Sequence, residues 1–312
     1  MLYRGTTASM LARDAWVATG SFLEFGAPLS PYRIFIREAG QPNAPAILFL
    51  HGFPTSSWDF AKVEPLLTER YRLGFLDFLG FGASAKPARH AYSLMEQAQV
   101  ARAALGSLGF DRFHLVAHDY GVAVAQQLLC EPALRGRIAG LTLLNDVLYA
   151  AMHRATPVET VLRSTGGPLF RRSVSRDRFL SAFRSQFATR HQPGSPELDQ
   201  HWVAFSRDGG VALAPRLLRY LDERAEFASM CESALEQSEA PLNFVWGMLD
   251  PAAGRATLEY AVPRLARFPE ITTLPDAGHY PHIEAPERVA ASIGAFVDAN
   301  AGGARSAVLT SG

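Results

Sequence analysis

The stretch Leu115-Val116-Ala117-His118-Asp119-Tyr120-Gly121 is typical of a buried strand that turns abruptly into a helix, with a carboxylate at the turn. Small residues stand two places before and two places after Asp119, at Ala117 and Gly121, which is the pattern of a nucleophile elbow. A serine at the apex would need a base to remove its proton, whereas an aspartate is already an anion at neutral pH. The alternative interpretation is that Asp119 only caps the following helix, since Asp is favoured at that position.

A carboxylate nucleophile restricts the chemistry that the elbow can perform. Attack on an acyl carbon would give a mixed anhydride, which is little improvement on the substrate, whereas attack on a saturated carbon gives a stable alkyl ester. Asp119 therefore predicts substrates with a reactive alkyl carbon, such as epoxides or alkyl halides, and disfavours serine-type ester hydrolysis.

The composition is that of an ordinary globular protein with no strong electrostatic preference. The 312 residues are 48% hydrophobic and 19% charged, with a formal net charge of +0. This balance predicts no nucleic-acid or anionic-membrane partner, and it suits a small neutral organic substrate and water. No secretory signal or run of about 18 apolar residues is present, so we predict no membrane span and a cytoplasmic location. Two cysteines, Cys130 and Cys231, are too few for a disulfide framework, and nothing in the sequence determines the oligomeric state.

Apolar runs along the chain predict an α/β fold with a mostly parallel twisted sheet flanked by helices. Short, nearly continuous runs bounded by Gly, Pro or Asp are typical of strands buried on both faces. They cover residues 46–50, 73–78, 113–117, 141–144 and 242–246, with a shorter one at 271–274. Amphipathic segments around 58–67, 93–108, 120–133, 253–266 and 286–300 predict helices in a repeated βαβ pattern. Residues 32–37 alternate polar and apolar side chains, which predicts an antiparallel strand near the starting edge.

The βαβ alternation stops between about residues 148 and 229, where no convincing strand is found. We predict a helical cap at 148–229, inserted after strand 6 of an α/β core formed by 1–147 and 230–300, with a flexible tail at 301–312. Such an insertion would cover the carboxyl ends of the strands, where ligands bind in open α/β sheets.

Two loops supply the candidate partners of Asp119. The loop that follows the strand at 46–50 contains Phe53, whose backbone N–H would pair with that of Tyr120 to hold an oxyanion. Its next residue, Pro54, suggests a cis Phe53–Pro54 bond. His279 follows the last short strand, where an elbow hydrolase carries its base, and we prefer it to His282 because the preceding glycine allows a projecting loop.

The acid that orients this histidine has two candidates. Asp250 lies just past the strand at 242–246, and Asp146 lies past the strand at 141–144. Either could reach an imidazole, because a triad is defined by position in space, and we favour Asp250. His51, His114 and His118 are interpreted as hydrogen-bonding residues of loops and strand ends. No residues have the spacing of a metal site, and no nucleotide-binding motif is present, so no metal or cofactor is predicted.

With these motifs identified, the chain resembles the α/β-hydrolase superfamily over nearly its whole length. It is similar to the branch with an aspartate nucleophile, which contains epoxide hydrolases and haloalkane dehalogenases. The segments 51–57, 76–84 and 118–121 resemble especially the mesoderm-specific transcript proteins of vertebrates. The resemblance implies Asp119 as nucleophile, His279 as base and Asp250 as acid, with the oxyanion hole formed as described above.

Departures from the residue pattern of this branch weigh against simple dehalogenation. Haloalkane dehalogenases generally carry Trp after the nucleophile and often Asn at the position of Phe53, whereas Tyr120 follows Asp119 here. Epoxide hydrolases use cap tyrosines to protonate the ring oxygen, and Tyr149 and Tyr220 are the candidates, although either could instead pack the cap onto the core.

Trp202 could line the pocket, although core packing explains it better.

Three functions remain open from the sequence. We predict an epoxide hydrolase-like enzyme, with a dehalogenase that has an atypical halide site and a non-enzymatic binding protein as the alternatives.

Overall fold

The protein is built around one eight-stranded sheet whose strands are mostly parallel. The computed structural model describes residues 12–26, 31–155, 159–160, 163 and 174–301. The strands are β1 (Ser21–Phe25), β2 (Tyr32–Gly40), β3 (Ala46–Leu50), β4 (Arg72–Leu76), β5 (Phe113–His118), β6 (Ile138–Leu144), β7 (Leu242–Gly247) and β8 (Glu270–Leu274). Their order in the sheet is β1-β2-β4-β3-β5-β6-β7-β8. Strands β3 to β8 run parallel, and β2 pairs antiparallel with both β1 and β4, as the alternating pattern of its residues predicted.

Helices cover both faces of this sheet. Those before the inserted segment are α1 (Arg13–Ala18), α2 (Glu64–Leu67), α3 (Leu94–Leu108) and α4 (Tyr120–Leu129). Those between β6 and β7 are α5 (Arg176–Arg184), α6 (Ser195–Ser206), α7 (Ala214–Leu217), α8 (Tyr220–Glu226) and α9 (Ala228–Glu236). The last three are α10 (Arg255–Ala261), α11 (Pro281–Glu284) and α12 (Pro286–Asn300). Short 3₁₀ helices occur at Ser57–Lys62, Pro132–Leu134, Ala150–Met152, Thr189–His191, Arg207–Leu213 and Val262–Arg264.

Strand periodicity divides the apolar core between the two faces of the sheet. Successive side chains of a strand point to opposite faces. Leu48 and Leu115 therefore belong to one buried cluster, and their neighbours Phe49 and Val116 belong to a second cluster on the other face. Because both clusters are covered by helices, the central strands are apolar throughout, which is why they could be identified from composition alone.

The turn between β5 and α4 has the geometry that the elbow pattern predicted. Asp119 has φ 48° and ψ −117°, a backbone conformation that non-glycine residues rarely adopt. Gly121 is required for close packing, because a Cβ atom there would lie 2.3 Å from the backbone oxygen of Leu50. A Cβ atom at Gly52 would lie 2.9 Å from the Cβ of Asp119. The two glycines allow β3, its following loop and the elbow to approach one another closely.

The segment between β6 and β7 contains helices and no strand among its described residues, as predicted. The limits of a separate cap stay a prediction, and residues 302–312 of the predicted tail lie outside the described part of the chain. Strand β1 was not predicted, because it lies at the sheet edge with three of its five residues exposed. Among the described residues, no helix has both the length and the apolarity needed to cross a bilayer.

Candidate active site

The carboxyl-terminal edge of the sheet brings Asp119, His279 and Asp250 together. Asp119 follows β5, Asp250 follows β7, and His279 lies in the loop after β8. His279 Nδ1 is 2.8 Å from Asp250 Oδ2, and His279 Nε2 is 3.7 Å from Asp119 Oδ2. One imidazole therefore stands between two carboxylates, hydrogen-bonded to one and facing the other.

The loop after β3 supplies a backbone donor to Asp119. The N–H of Phe53 donates to Asp119 Oδ1 at 2.7 Å, and the Phe53–Pro54 peptide bond is cis. Tyr120 is the first residue of α4, where N–H groups have no acceptor within the helix. Its side chain is fully buried against Phe78 and Phe81 and does not line the cavity beside Asp119. Tyr120 can thus offer the cavity its backbone N–H. Its side chain cannot donate to a halide in the cavity, as the indole of a tryptophan at this position would.

The two candidate acids have different partners. Asp250 contacts His279 and also accepts a hydrogen bond from the N–H of Ala252 at 2.7 Å. Asp146 instead forms a bidentate ion pair with Arg224, with distances of 2.9 and 2.6 Å, and both side chains are buried. The geometry therefore favours Asp250 as the partner of the imidazole, because the oxygens of Asp146 are directed to a guanidinium group.

Asn145, which directly follows β6, is a supporting residue that we did not predict. Its Nδ2 donates to Asp250 Oδ2 at 2.8 Å and to the backbone oxygen of Gly247 at 3.0 Å, and its Oδ1 accepts from the N–H of Gly247. Asn145 thus joins the ends of β6 and β7 and fixes Asp250. The signal was available, because a polar residue directly after a buried parallel strand lies at the edge where ligands bind.

Two more residues shape the loop that carries His279. Glu284 accepts hydrogen bonds from the N–H groups of Gly278 at 2.9 Å and Tyr280 at 3.2 Å. His118 Nε2 lies 2.8 Å from the backbone oxygen of His279. His118 was predicted to form a hydrogen bond at the strand end. The bond joins His118, which precedes Asp119, to His279, which faces Asp119.

The charges of the three side chains are coupled. Burial alone would raise the pKa of Asp119, but the adjacent His279 outweighs it and lowers the pKa to about 2. Burial likewise opposes ionisation of Asp250, and the charge of His279 lowers the pKa of Asp250 to about 2. For His279, burial favours the neutral ring, but Asp250 and Asp119 raise its pKa well above the usual value. The two carboxylates therefore favour the protonated form of the imidazole that lies between them.

A cavity of about 440 Å³ opens on Asp119 and His279. Its lining is mainly apolar and aromatic, with Phe53, Phe179, Phe183, Phe205, Tyr220 and Tyr280 among the lining residues. Tyr220 belongs to α8, and its ring packs edge-on against Tyr120, with 4.8 Å between the ring centroids. Of the predicted phenol donors, Tyr220 is the one that reaches the cavity.

Two other predicted pocket residues lie elsewhere. Tyr149 is buried against Tyr260, with ring centroids 5.1 Å apart, and it is not among the lining residues. Trp202 packs on Phe179 and Phe205 behind the cavity wall, which corresponds to the core-packing interpretation.

Comparisons with known proteins agree with this fold. A sequence model of the alpha/beta hydrolase family matches residues 47–292. LipZ of Mycobacterium tuberculosis, whose name assigns it only to the hydrolases, is 35% identical over 276 residues, which cover 87% of this chain and 94% of LipZ. The human mesoderm-specific transcript homolog protein is 32% identical over 88% of this chain and 84% of its own length. Haloalkane dehalogenase 2 of Mycobacterium tuberculosis is 28% identical over 83% of this chain and 90% of its own length.

A solved structure gives the same result for the fold. A Pseudomonas aeruginosa protein provisionally described as an epoxide hydrolase superposes with a TM-score of 0.75 at 21% identity, covering 90% of this chain and 96% of its own. The predicted α/β-hydrolase fold and the predicted similarity to the mesoderm-specific transcript proteins are thereby confirmed.

Proposed function

This chain belongs to the alpha/beta hydrolase family, and we propose that it hydrolyses small neutral organic molecules at a saturated carbon, with epoxides as the preferred class. The observation that carries the proposal is an ionised carboxylate, Asp119, at the nucleophile position, facing His279 across 3.7 Å in an apolar cavity. The carboxylate supports attack on an alkyl carbon, for the reason that an alkyl ester is stable whereas an acyl anhydride is not.

In the first step, an oxygen of Asp119 attacks a ring carbon of the epoxide in line with the carbon–oxygen bond that breaks. The electron pair of that bond passes to the ring oxygen, which takes a proton from the phenol of Tyr220. Burial raises the pKa of Tyr220 well above its usual value, so the phenol carries its proton at neutral pH. The products of this step are an alkyl ester on Asp119, a neighbouring hydroxyl group and a phenolate on Tyr220.

In the second step, water hydrolyses the ester. His279 takes a proton from the water as its oxygen attacks the carboxyl carbon of Asp119, and the backbone N–H groups of Phe53 and Tyr120 stabilise the oxyanion. The ester then breaks between the carboxyl carbon and the alkyl oxygen, the alkyl oxygen takes the proton of the new carboxyl group, and the diol leaves behind the carboxylate and the imidazolium. Esterification removes the charge of Asp119, one of the two charges that raise the pKa of His279, so before water attacks the ring can pass its proton to the Tyr220 phenolate and act as a neutral base.

The ester is the observable that tests this proposal. A His279→Gln variant should complete the first step and stall, and mass spectrometry should find the substrate mass on the peptide that contains Asp119. In the wild type, a single turnover in heavy-oxygen water should place the heavy isotope in the Asp119 carboxylate. The Asp119→Asn variant is the matched control and should give neither product. An Asp119 peptide that stays unmodified across epoxide and halide panels would reject the proposal.

Dehalogenation is the second candidate, supported by the 28% identity to haloalkane dehalogenase 2. Both reactions form the ester on Asp119, so the ester cannot distinguish them. Release of halide from haloalkanes in the same screen does, because epoxide opening releases no halide. The buried side chain of Tyr120 argues against this candidate, since it offers the departing halide no donor in the cavity. A protein that binds epoxides without turning them over would instead identify the non-enzymatic alternative.

A further inference from the structure

A group of buried polar side chains lies behind the active site and takes no part in the proposed reaction. It consists of Asp59 from the 3₁₀ helix Ser57–Lys62, His118 at the end of β5, His282 in α11 and His201 in α6. All four are at most 2% exposed, and none lines the substrate cavity. We call these four residues the histidine cluster.

Most of the side-chain nitrogen and oxygen atoms of the histidine cluster have no hydrogen-bond partner among the described residues. Within the described part of the chain, both ring nitrogens of His201 and of His282 have no hydrogen-bond partner, and neither does Nδ1 of His118. Oδ1 of Asp59 also has none, although Thr55 donates to its other oxygen. Buried polar atoms are normally satisfied, and a bound ion would give one unpartnered atom of each of the four residues its missing partner.

The spacing of these atoms fits a metal ion. One ligand atom from each of Asp59, His118 and His282 can be chosen so that all three lie within 4.8 Å of one another. Nδ1 of His201 lies 3.4 Å from Oδ1 of Asp59. Ligands held about 2.1 Å from a tetrahedral zinc ion lie about 3.4 Å apart, which is the separation of the Asp59 and His201 atoms.

The charges around the cluster suit the same occupant. A buried carboxylate needs a compensating positive charge. Lys62, the cation near His282, is already paired with Glu197 at 2.7 Å, so it does not repel an ion strongly or neutralise Asp59.

We propose that the histidine cluster is a structural binding site for a divalent transition metal of the zinc class, with Asp59, His118, His282 and His201 as its ligands. Histidine nitrogens and carboxylate oxygens are both zinc ligands, and four protein ligands would leave no open position, as in a structural site. The ion would connect the 3₁₀ helix Ser57–Lys62, the end of β5, α11 and the inserted segment that contains α6. This inference is independent of the proposed reaction, because the ligands lie outside the cavity.

The test uses the full chain without a metal-binding affinity tag, stripped with a chelator and reloaded with Zn²⁺ or Co²⁺. Elemental analysis should then find about one zinc per chain, Co²⁺ should give the visible absorption of a tetrahedral site, and Zn²⁺ should raise the thermal unfolding midpoint. His282→Gln and His201→Gln should each weaken Zn²⁺ binding by at least about 100-fold. The matched control is His114→Gln, which removes a buried histidine of β5 that is outside the cluster and should bind Zn²⁺ as the wild type does.

Two results would overturn the inference. Wild-type protein that retains no metal and shows no Co²⁺ absorption would mean that the cluster does not hold an ion. Equal Zn²⁺ affinity in the wild type and in folded cluster variants would place the metal elsewhere. If one cluster variant fails to fold, the wild-type loading and the other variant still decide the question.

Discussion

The ionisation of Asp119 depends on His279, so replacing the histidine should change the pH range in which Asp119 reacts. Burial favours the protonated carboxyl group, and His279 is the largest influence that opposes it. His279→Gln removes that positive charge and leaves the burial unchanged. We therefore expect the pKa of Asp119 to rise from about 2 to a value above its ordinary 3.8.

The size of this rise follows from the 3.7 Å between His279 Nε2 and Asp119 Oδ2. Two unit charges at this distance attract by about 4 kcal/mol at an effective dielectric constant of about 20. One pKa unit corresponds to about 1.4 kcal/mol, so losing the attraction raises the pKa by about 3 units. Added to the starting pKa of about 2, this rise gives the carboxylate of the variant a protonation midpoint at about pH 5.

The assay is the single-turnover rate of ester formation on Asp119, followed by quenched-flow mass spectrometry between about pH 4 and pH 8. Asp250→Asn is the matched control, because it also impairs the second step but keeps the imidazole beside Asp119. Its rate of ester formation should stay level down to about pH 4, whereas that of His279→Gln should fall with the midpoint near pH 5. A level profile for His279→Gln, in protein shown to be folded, would refute the coupling of the two residues.

Three further substitutions test other parts of the structure. Tyr220→Phe should slow ester formation from epoxides by about 100-fold or more, whereas Tyr149→Phe should not, because Tyr149 does not line the cavity. Arg224→Met should lower the free energy of unfolding in urea by about 3–5 kcal/mol, since it leaves the buried Asp146 carboxylate without its ion pair; an unchanged unfolding midpoint would contradict this. Gly121→Ala should cost about 1–3 kcal/mol in the same measurement and, by displacing the nucleophile, about 100-fold in activity.

The parts of the fold that could be predicted are those whose local sequence allows one structure only. Strands buried on both faces have continuous apolar runs, and the alternating residues of β2 indicated its antiparallel pairing. The elbow was recognisable because two small residues and a carboxylate have a fixed spacing. Strand β1 lacks such a signal, because it is short, partly polar and stabilised by pairing with β2 rather than by its own composition.

Side-chain partners across the sheet could not be predicted, because they depend on how the strand ends align. Asp146 and Asp250 occupy similar positions after neighbouring strands, and the hydrogen bonds that Asp250 accepts from Asn145 and Ala252 hold it against His279. The guanidinium that pairs with Asp146 belongs to Arg224 in α8, which is 78 positions further along the chain. Nothing in the local sequence indicates that pairing. The same limit applies to Tyr149 and Tyr220, whose places depend on how the inserted helices pack.

The arrangement of charge explains why a nucleophilic carboxylate and a buried histidine can share one site. If His279 were neutral before substrate bound, burial would favour a protonated and unreactive Asp119. The imidazolium that keeps Asp119 ionised cannot itself accept a proton, so the same ring is unsuited to act as base at that stage. Ester formation resolves this conflict, because it consumes the charge of Asp119 and leaves Asp250 as the only carboxylate that contacts His279 among the described residues. The histidine can therefore release its proton and become a base only after the nucleophile has reacted, which gives the two steps their order.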